Sequence, residues 1–111
     1  MEPLAAQSRL RDSEIAACRR KVAQTGRMIA DFERLAAELD REVRAEEDRT
    51  GIRDPRHFTY STVAKAAGLR RDNLLHSIAP LRLQLDSANA ALQTALERNE
   101  ALPMDRAGHA A

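Results

Sequence analysis

The side chains that most often carry catalysis or bind metal are few in this chain and lie far apart in it. The three histidines are at positions 57, 76 and 109, and the single cysteine is Cys18. Zinc sites need three or four ligands that converge, usually from short and regular spacings. The glycines at 26, 51, 68 and 108 are isolated and form no glycine-rich phosphate loop. We therefore predict no catalytic residues, no metal site and no cofactor, in a protein that is not an enzyme.

Two other chemically active features have simpler interpretations. The acidic run Glu46-Glu47-Asp48 could bind a cation, but charge at the end of a helix is more often solvated. Cys18 lies among apolar residues at helical spacing, where a thiol behaves as a small hydrophobic side chain. A lone cysteine cannot form an internal disulfide, which is typical of a reducing compartment. Neither feature predicts chemistry.

The composition indicates the kind of fold in which these side chains are placed. Of the 111 residues, 32% are charged and only 3% are aromatic, with no tryptophan. Alanine, leucine, arginine and glutamate dominate, as is typical of long helices and coiled coils. A helical pair buries a narrow seam, so it needs few large side chains. We predict an all-α protein.

Two segments repeat apolar residues at alternating spacings of three and four, which is the pattern of a coiled-coil seam. They predict a first helix over about 4–49 and a second over about 61–102, with a short turn at 50–60 and a disordered tail at 103–111. The seam of the first helix consists of Ile15, Cys18, Val22, Thr25, Ile29, Phe32, Ala36, Leu39 and Val43. The seam of the second consists of Ala64, Ala67, Arg71, Leu74, Ile78, Leu81, Leu85, Ala88, Leu92, Ala95, Asn99 and Leu102.

Several residues end or weaken these helices. Gly51 is predicted to stop the first helix, because glycine tolerates the left-handed conformation just past a helix C-terminus. Thr59 or Ser61 can cap the second helix. Gly68 weakens that helix, and Pro80 removes one of its backbone hydrogen bonds. Since the apolar pattern continues through Pro80, we predict one helix that is kinked near this residue.

The short turn predicts that the two helices pair as antiparallel neighbours, in a coiled-coil hairpin. With the turn centred near Pro55, facing positions have numbers that sum to about 110, so that Val43 faces Ala67. The charges fit this pairing: residues 31–50 carry four basic and eight acidic side chains, and residues 51–85 carry six and two. The fold places these blocks side by side, and it brings the basic cluster at 19–21 near the acidic residues of 86–111. A parallel homodimer would instead set like charges together.

The net charge and the distribution of apolar residues indicate where the protein works and argue against nucleic acid as its partner. The formal net charge is +1, which argues against a protein devoted to nucleic acid. No segment has the ~20 consecutive apolar residues that cross a bilayer. The N-terminal residues lack a positive patch followed by an apolar run, so we expect no secretory signal. We expect a cytoplasmic protein.

Two basic clusters are candidate binding sites, namely Arg19-Arg20-Lys21 and Arg70-Arg71. The simpler interpretation is helix-surface charge that faces the acidic part of the partner helix. The alternative, binding to nucleic acid, lacks the interleaved aromatic residues that stack on bases.

The turn contains Phe58 and Tyr60, which are two of the three aromatic residues of the chain. They could close the open end of the hairpin by packing inward. They could also form an exposed docking surface, since exposed apolar side chains on loops often mark contacts with partners. The two interpretations are compatible with each other.

One set of residues identifies a protein family more specifically than the heptad repeats do. It consists of Met28-Ile-Ala-Asp-Phe32-Glu-Arg-Leu-Ala-Ala-Glu-Leu-Asp-Arg-Glu-Val43, Gly51-Ile52, Asp54-Pro55, His57-Phe58, Tyr60, Ala64-Lys65-Ala66-Ala67 and Arg70-Arg71-Asp72-Asn73-Leu74. With these residues the chain resembles the flagellar export proteins of the FliJ family, in the form found in alphaproteobacteria. The resemblance covers roughly residues 20–100, and the segment at 51–74 carries most of it.

This resemblance implies a coiled-coil component of the flagellar type III export apparatus. Members of the family bind the hexameric export ATPase, contact the cytoplasmic domain of the export gate and escort empty export chaperones. Such a protein is cytoplasmic and reaches the inner membrane only through its partners. A helix of ~45 residues spans ~68 Å, which would let a hairpin touch two separated partners.

The resemblance also implies which surfaces bind. The helical ends, near residues 9–30 and 85–102, would engage the ATPase, and the turn would face the export gate. The implied tip residues are Phe58, Tyr60, His57, Arg70 and Arg71, and those of the helical ends are Arg19, Arg20 and Lys21. The alternative function is that of a generic coiled-coil adaptor in another secretion or envelope assembly.

Overall fold

Two long helices and the turn between them make up the described part of the chain. The computed structural model describes residues 3–100, with α1 at Pro3–Thr50 and α2 at Thr62–Glu100. No strand occurs between residues 3 and 100. The prediction of an all-α, two-helix antiparallel hairpin is therefore confirmed.

The helix ends lie close to the positions expected from the sequence. The helix α1 extends one residue beyond the expected range of about 4–49 at each end, and α2 begins one residue later than expected. The expected end of the second helix at Leu102 and the tail at 103–111 lie outside the described residues. Neither helix, over its described length, is apolar enough along a sufficient stretch to cross a lipid bilayer.

The end of α1 is set by Gly51. Its φ angle is +74°, in the left-handed region, and its N–H donates to the Glu47 carbonyl at 2.8 Å. The hydroxyl of Thr50 then accepts a hydrogen bond from the Ile52 N–H at 3.2 Å. These bonds satisfy backbone groups that would otherwise be left unpaired at a helix end. Gly51 is thus confirmed as the helix stop.

The start of α2 is set by Ser61. Its hydroxyl oxygen accepts a hydrogen bond from the Ala64 N–H at 3.1 Å, and its carbonyl accepts one from the Lys65 N–H at 2.9 Å. A hydroxyl that bonds the N–H three residues later is the standard N-cap arrangement. Of the two expected caps, Thr59 and Ser61, the structure uses Ser61.

Pro80 lies within α2, and helical geometry continues on both sides of it. The prediction of one helix through this position is confirmed. Its side chain is exposed, so the ring does not take up space in the seam. The bend that a missing N–H favours near Pro80 stays a prediction.

The seam positions are the ones that the sequence indicates. Every predicted seam residue within residues 3–100 is buried or half-buried, on both helices. Spacings of three and four keep these side chains on one stripe of each helix, which the other helix covers. The chain divides into two compact units, each of which contains a segment of both helices. We call Arg27–Arg82 the tip unit, and the other described residues, 3–26 and 83–100, the terminal unit.

The tip unit has a buried cluster close to the turn. It consists of Leu39, Val43, Ala64 and Ala67, and Tyr60 and Leu74 pack against it. Two alanines on α2 face two larger side chains on α1, which lets the helices approach closely. Val43 and Ala67 share this cluster, as the predicted register requires.

The terminal unit has buried side chains on both helices and an ion pair between them. Ile15, Thr25, Ala88 and Ala95 are buried in it. A cross-helix ion pair joins Arg98 Nη1 to Glu14 Oε2 at 3.8 Å. On α2, Leu85 and Leu92 are half-buried in the seam beside these two alanines.

The glycines give a direct test of the helix assignment. Replacing Gly68 by alanine is expected to raise the free energy of unfolding by about 1 kcal/mol, because alanine is the better helix former. The added Cβ would lie 3.7 Å from Arg71 Nη2 and 3.9 Å from Val43 Cγ2, which are ordinary contact distances. Gly51→Ala is the matched control, and it should lower the free energy of unfolding by about 1 kcal/mol because its φ is left-handed. Urea unfolding followed by circular dichroism measures both, and a less stable Gly68→Ala variant would contradict the assignment.

Candidate partner-binding site at the turn

The turn is organised by hydrogen bonds between neighbouring residues. The Asp54 carboxylate accepts from the Arg56 N–H at 2.9 Å, and the Asp54 carbonyl accepts from the His57 N–H at 3.0 Å. The His57 carbonyl accepts from the Tyr60 N–H at 3.0 Å. Aspartate bonded to the backbone two residues later is a turn-forming arrangement. The turn is therefore a defined structure that can present side chains in fixed places.

His57 stabilises the turn and supports the neighbouring aromatic ring. Its Nδ1 accepts a hydrogen bond from the Thr59 N–H at 3.1 Å. Its ring stacks on that of Phe58, with centroids 5.0 Å apart and planes inclined by 16°. The imidazole thus restricts the positions that the Phe58 ring can adopt.

Phe58 and Tyr60 have opposite environments, although they are two residues apart. Phe58 is 92% exposed. Tyr60 packs against the buried cluster of the tip unit, and its hydroxyl donates to Glu47 Oε2 at 2.7 Å. Tyr60 therefore closes the end of the hairpin, and Phe58 is the aromatic side chain that faces solvent.

Two carboxylates of α1 bind the residues at which the chain returns into α2. Glu46 accepts hydrogen bonds from the Ser61 hydroxyl at 2.8 Å and from Arg49 at 2.7 Å, and Glu47 accepts from Tyr60. The two glutamate side chains are only 19% and 15% exposed. The interpretation of this acidic run as a solvated helix end is therefore wrong for these two residues. Ser61 and Tyr60 lie beside them because the hairpin register brings the start of α2 against the end of α1.

These contacts change the acid–base properties of the groups involved. The hydrogen bonds from Arg49 and from Ser61 lower the pKa of Glu46 from 4.5 to about 2. The hydrogen bond to Glu47 raises the pKa of Tyr60, and partial burial acts in the same direction. Both shifts favour the protonation states present at neutral pH.

The two arginines of the predicted tip site have different roles. Arg71 is half-buried and bonds Asp40 through Nη1 at 2.8 Å and Asp72 through Nε at 3.0 Å. Its hydrogen bonds, first with Asp72 and then with Asp40, raise its pKa further above the ordinary value. Arg70 is exposed and forms no ion pair with any residue of 3–100. Arg71 therefore joins the helices, and Arg70 is left exposed on the surface.

The basic cluster of the terminal unit is on the surface. Arg19, Arg20 and Lys21 are exposed, and over the described range none of them forms an ion pair. Arg19 and Arg20 border a groove whose apolar side chains are Ile15, Ala16 and Leu96. The sequence predicted that this cluster lies near the acidic end of the second helix. Within residues 3–100 the cluster forms no ion pair there, and the cross-helix pair joins Arg98 to Glu14. The three cations are therefore surface charges of the terminal unit.

The remaining candidates do not assemble into a chemical site. Within residues 3–100 no three His, Cys, Asp or Glu side chains lie close enough to hold a metal ion. Cys18 is a half-buried free thiol in the seam, and His76 Nδ1 is 2.8 Å from the Asp72 carbonyl of its own helix. His109 lies outside the described residues.

The fold and this surface define the class of protein as a two-helix antiparallel hairpin with an exposed aromatic side chain on an ordered turn. The chain matches no protein-family model, and no curated protein and no solved structure is similar enough to it to match.

Substitutions of the two turn aromatics should differ in their effect on the free energy of unfolding. Phe58→Ala is expected to change the free energy of unfolding by less than about 0.5 kcal/mol, because the ring is almost fully exposed. Tyr60→Phe should lower it by about 1 kcal/mol, because the hydrogen bond to Glu47 is lost. Since the pKa of Tyr60 is raised in the folded protein, this contribution is complete below pH ~10 and is lost as the pH rises further. Urea unfolding at pH 7 measures both variants, and an equal loss for the two would contradict the assignment.

Glu46 should make the stability of the hairpin depend on acid pH. Its pKa is lower in the folded protein than in the unfolded chain, so its contribution is present above pH ~4.5 and is lost as the pH falls towards about 2. Glu46→Gln is expected to reduce stability at pH 7 and to flatten the loss between these two pH values. Asp86→Asn is the matched control, because Asp86 is exposed and forms no ion pair or hydrogen bond with other described residues. Thermal unfolding between pH 2 and 7 makes the comparison, and parallel profiles for Glu46→Gln and the original chain would contradict it.

Proposed function

We propose that this chain is a non-enzymatic accessory protein of flagellar type III protein export, which acts by binding other proteins. Its turn would bind the cytoplasmic domain of the export gate, and its helical ends would bind the export ATPase. It would also escort empty export chaperones, in the cytoplasm and at the inner membrane through its partners only. The observation that carries the proposal is the exposed Phe58 on an ordered turn, in the segment that most resembles the flagellar export proteins.

The turn has the features of a protein-binding anchor. Aromatic side chains contribute most strongly to protein interfaces when they fill an apolar pocket on the partner. Phe58 stacks on the ring of His57, and it is almost fully exposed, so it contributes nothing to the buried seam of the hairpin. A ring that is already ordered loses less conformational entropy when it enters a pocket. The expected partner surface is an apolar pocket large enough for one phenyl ring.

The terminal unit supports the second contact. Arg19, Arg20 and Lys21 form three consecutive exposed cations without ion pairs to described residues. Exposed charges of this kind accelerate association with an oppositely charged surface, and salt screens the effect. An acidic patch on the ATPase would provide that surface.

A binding assay with purified partners tests the proposal. The chain is immobilised, and binding is measured to the export ATPase and to the cytoplasmic domain of the gate from the same organism. Phe58→Ala is expected to weaken gate binding by about tenfold or more and to leave ATPase binding unchanged. Leu69→Ala is the matched control, since Leu69 is an exposed apolar residue of α2 outside the turn.

The terminal contact needs its own variant in the same assay. Reversing the charge of Arg19 and Arg20 with glutamate should weaken ATPase binding and reduce its dependence on salt, while gate binding is retained. Arg41→Glu is the charge control, because Arg41 is exposed and lies in the other unit. If neither the ATPase nor the gate binds the original chain, the flagellar proposal fails.

The alternative is a generic coiled-coil adaptor of another secretion or envelope assembly. It uses the same hairpin and the same exposed aromatic side chain, and it differs in the identity of the partner. Capture by proteins encoded next to this chain, with loss on Phe58→Ala and without affinity for flagellar components, would support the alternative.

A further inference from the structure

The two long faces of the tip unit differ in the contacts between the helices. On one face the cross-helix polar contacts come from positions 33, 40 and 47, which are seven residues apart. Glu33 pairs with Arg82 at 3.0 Å, and Asp40 pairs with Arg71 at 2.8 Å. Glu47 accepts the hydrogen bond from Tyr60. We call this the paired face.

The opposite face of the tip unit, which we call the open face, has exposed apolar side chains on α1. Met28 and Leu35 are seven residues apart, and they are 46% and 41% exposed. A groove of about 330 Å³ runs between the helices on this face. Its lining residues are Phe32, Leu35, Leu39, Arg70, Asn73, Leu74 and Ser77.

The open face also carries opposite charges on its two helices. Glu42 follows Leu35 by two helical turns and Glu38 follows it by one, so both lie on this side of α1. Arg70 lines the groove from α2. Over residues 3–100 none of these three side chains forms an ion pair. The face therefore has a row of carboxylates on α1 and a cation on α2, all without a partner within the described chain.

These charges lie at the same level of the hairpin. Leu39 and Arg70 line the groove from opposite helices, and the ion pair between the next residues, Asp40 and Arg71, sets them at about the same height. Glu38 and Glu42 stand just to either side of that level, because each residue advances a helix by about 1.5 Å. Consider a second copy related by a two-fold axis parallel to the helices, so that α1 of each copy lies against α2 of the other. The carboxylates of Glu38 and Glu42 in one copy would then lie opposite the guanidinium of Arg70 in the other.

We propose that the open face is the interface between two copies of this chain, arranged in parallel with their turns side by side. A two-fold axis along the groove sets α1 of each copy against α2 of the other and forms a four-helix bundle in the tip unit. Arg70 of each copy then lies between Glu38 and Glu42 of the second copy, and this contact occurs twice. Leu35 and Met28 leave solvent at the same time. The inference is independent of the flagellar proposal.

The arrangement with the copies reversed end to end does not satisfy these charges. It would place α1 against α1, so that the carboxylate row meets the same helix of the second copy. Arg70 would then face α2 and would have no carboxylate opposite. Like charges across an interface are unfavourable, so the charge pattern selects the parallel arrangement.

Sedimentation equilibrium from about 1 μM to 1 mM tests the proposal on the full chain. The original chain is expected to be a concentration-dependent dimer. Arg70→Glu should raise the dissociation constant about tenfold, and Glu38→Arg with Glu42→Arg should do the same. Combining all three reversals restores opposite charges and should return the constant to near its original value. Arg41→Glu is the control, since Arg41 is exposed and follows Glu38 on the outer side of α1.

The apolar part of the interface has a matched pair of leucines. Leu35→Ala is expected to raise the dissociation constant about tenfold, because two partly exposed leucines per dimer lose their contact. Leu69→Ala removes the same atoms from an exposed position that is not in the groove, and it should have no effect. Unchanged helical circular dichroism in each variant shows that folding is retained. A chain that stays monomeric up to the highest concentration, or a combined reversal that fails to restore dimerisation, overturns the proposal.

Pyrene fluorescence tests the orientation of the two copies. The label is attached to Phe58→Cys in a Cys18→Ser background, so that each turn carries one pyrene. A parallel dimer brings the two turns together and should give excimer emission that disappears on Arg70→Glu. A dimer that shows no excimer overturns the parallel arrangement.

Discussion

A helix of forty to fifty residues with one apolar stripe is stable in water only when another surface covers that stripe. In this chain the cover is supplied by its own second half, through a seam of side chains spaced by three and four. The buried members are small to medium, with alanine on one helix opposite Leu39 or Val43 on the other. This contact explains why the chain needs almost no aromatic residues. It also sets the register, and the register decides which polar residues meet near the turn.

The consequences of that register are clearest near Gly51. Because α1 ends there and the turn closes within about ten residues, Glu46 and Glu47 stand directly against Ser61 and Tyr60. Glu46 also accepts a hydrogen bond from Arg49, and the bonds from Arg49 and Ser61 lower its pKa to about 2. The same seam leaves two unlike sides. One is joined by ion pairs, and the other has an apolar groove beside charges that form no ion pair within residues 3–100.

Much of the fold could be predicted because its signals are local or periodic. The seam positions follow from heptad spacing, and the stop at Gly51 follows from the conformational freedom of glycine. The contacts of Glu46 and Glu47 were missed because they join residues 13 and 15 positions apart, and they depend on side-chain conformations that spacing does not define. The sequence placed Tyr60 and Phe58 in the turn, but it could not assign one inward and one outward. That choice depends on the turn geometry, since the two residues belong to neither helix.

Because Phe58 and Tyr60 have opposite environments, the two positions tolerate substitution to different degrees. Tyr60 is bound by its hydroxyl and its packing, so substitutions there are paid for in stability. Phe58 contacts little besides the ring of His57, and most substitutions there leave the hairpin intact. Position 58 can therefore change with little effect on folding, while changes at position 60 weaken the hairpin. The turn thus contains one position whose side chain can be exchanged without any compensating change in the helices.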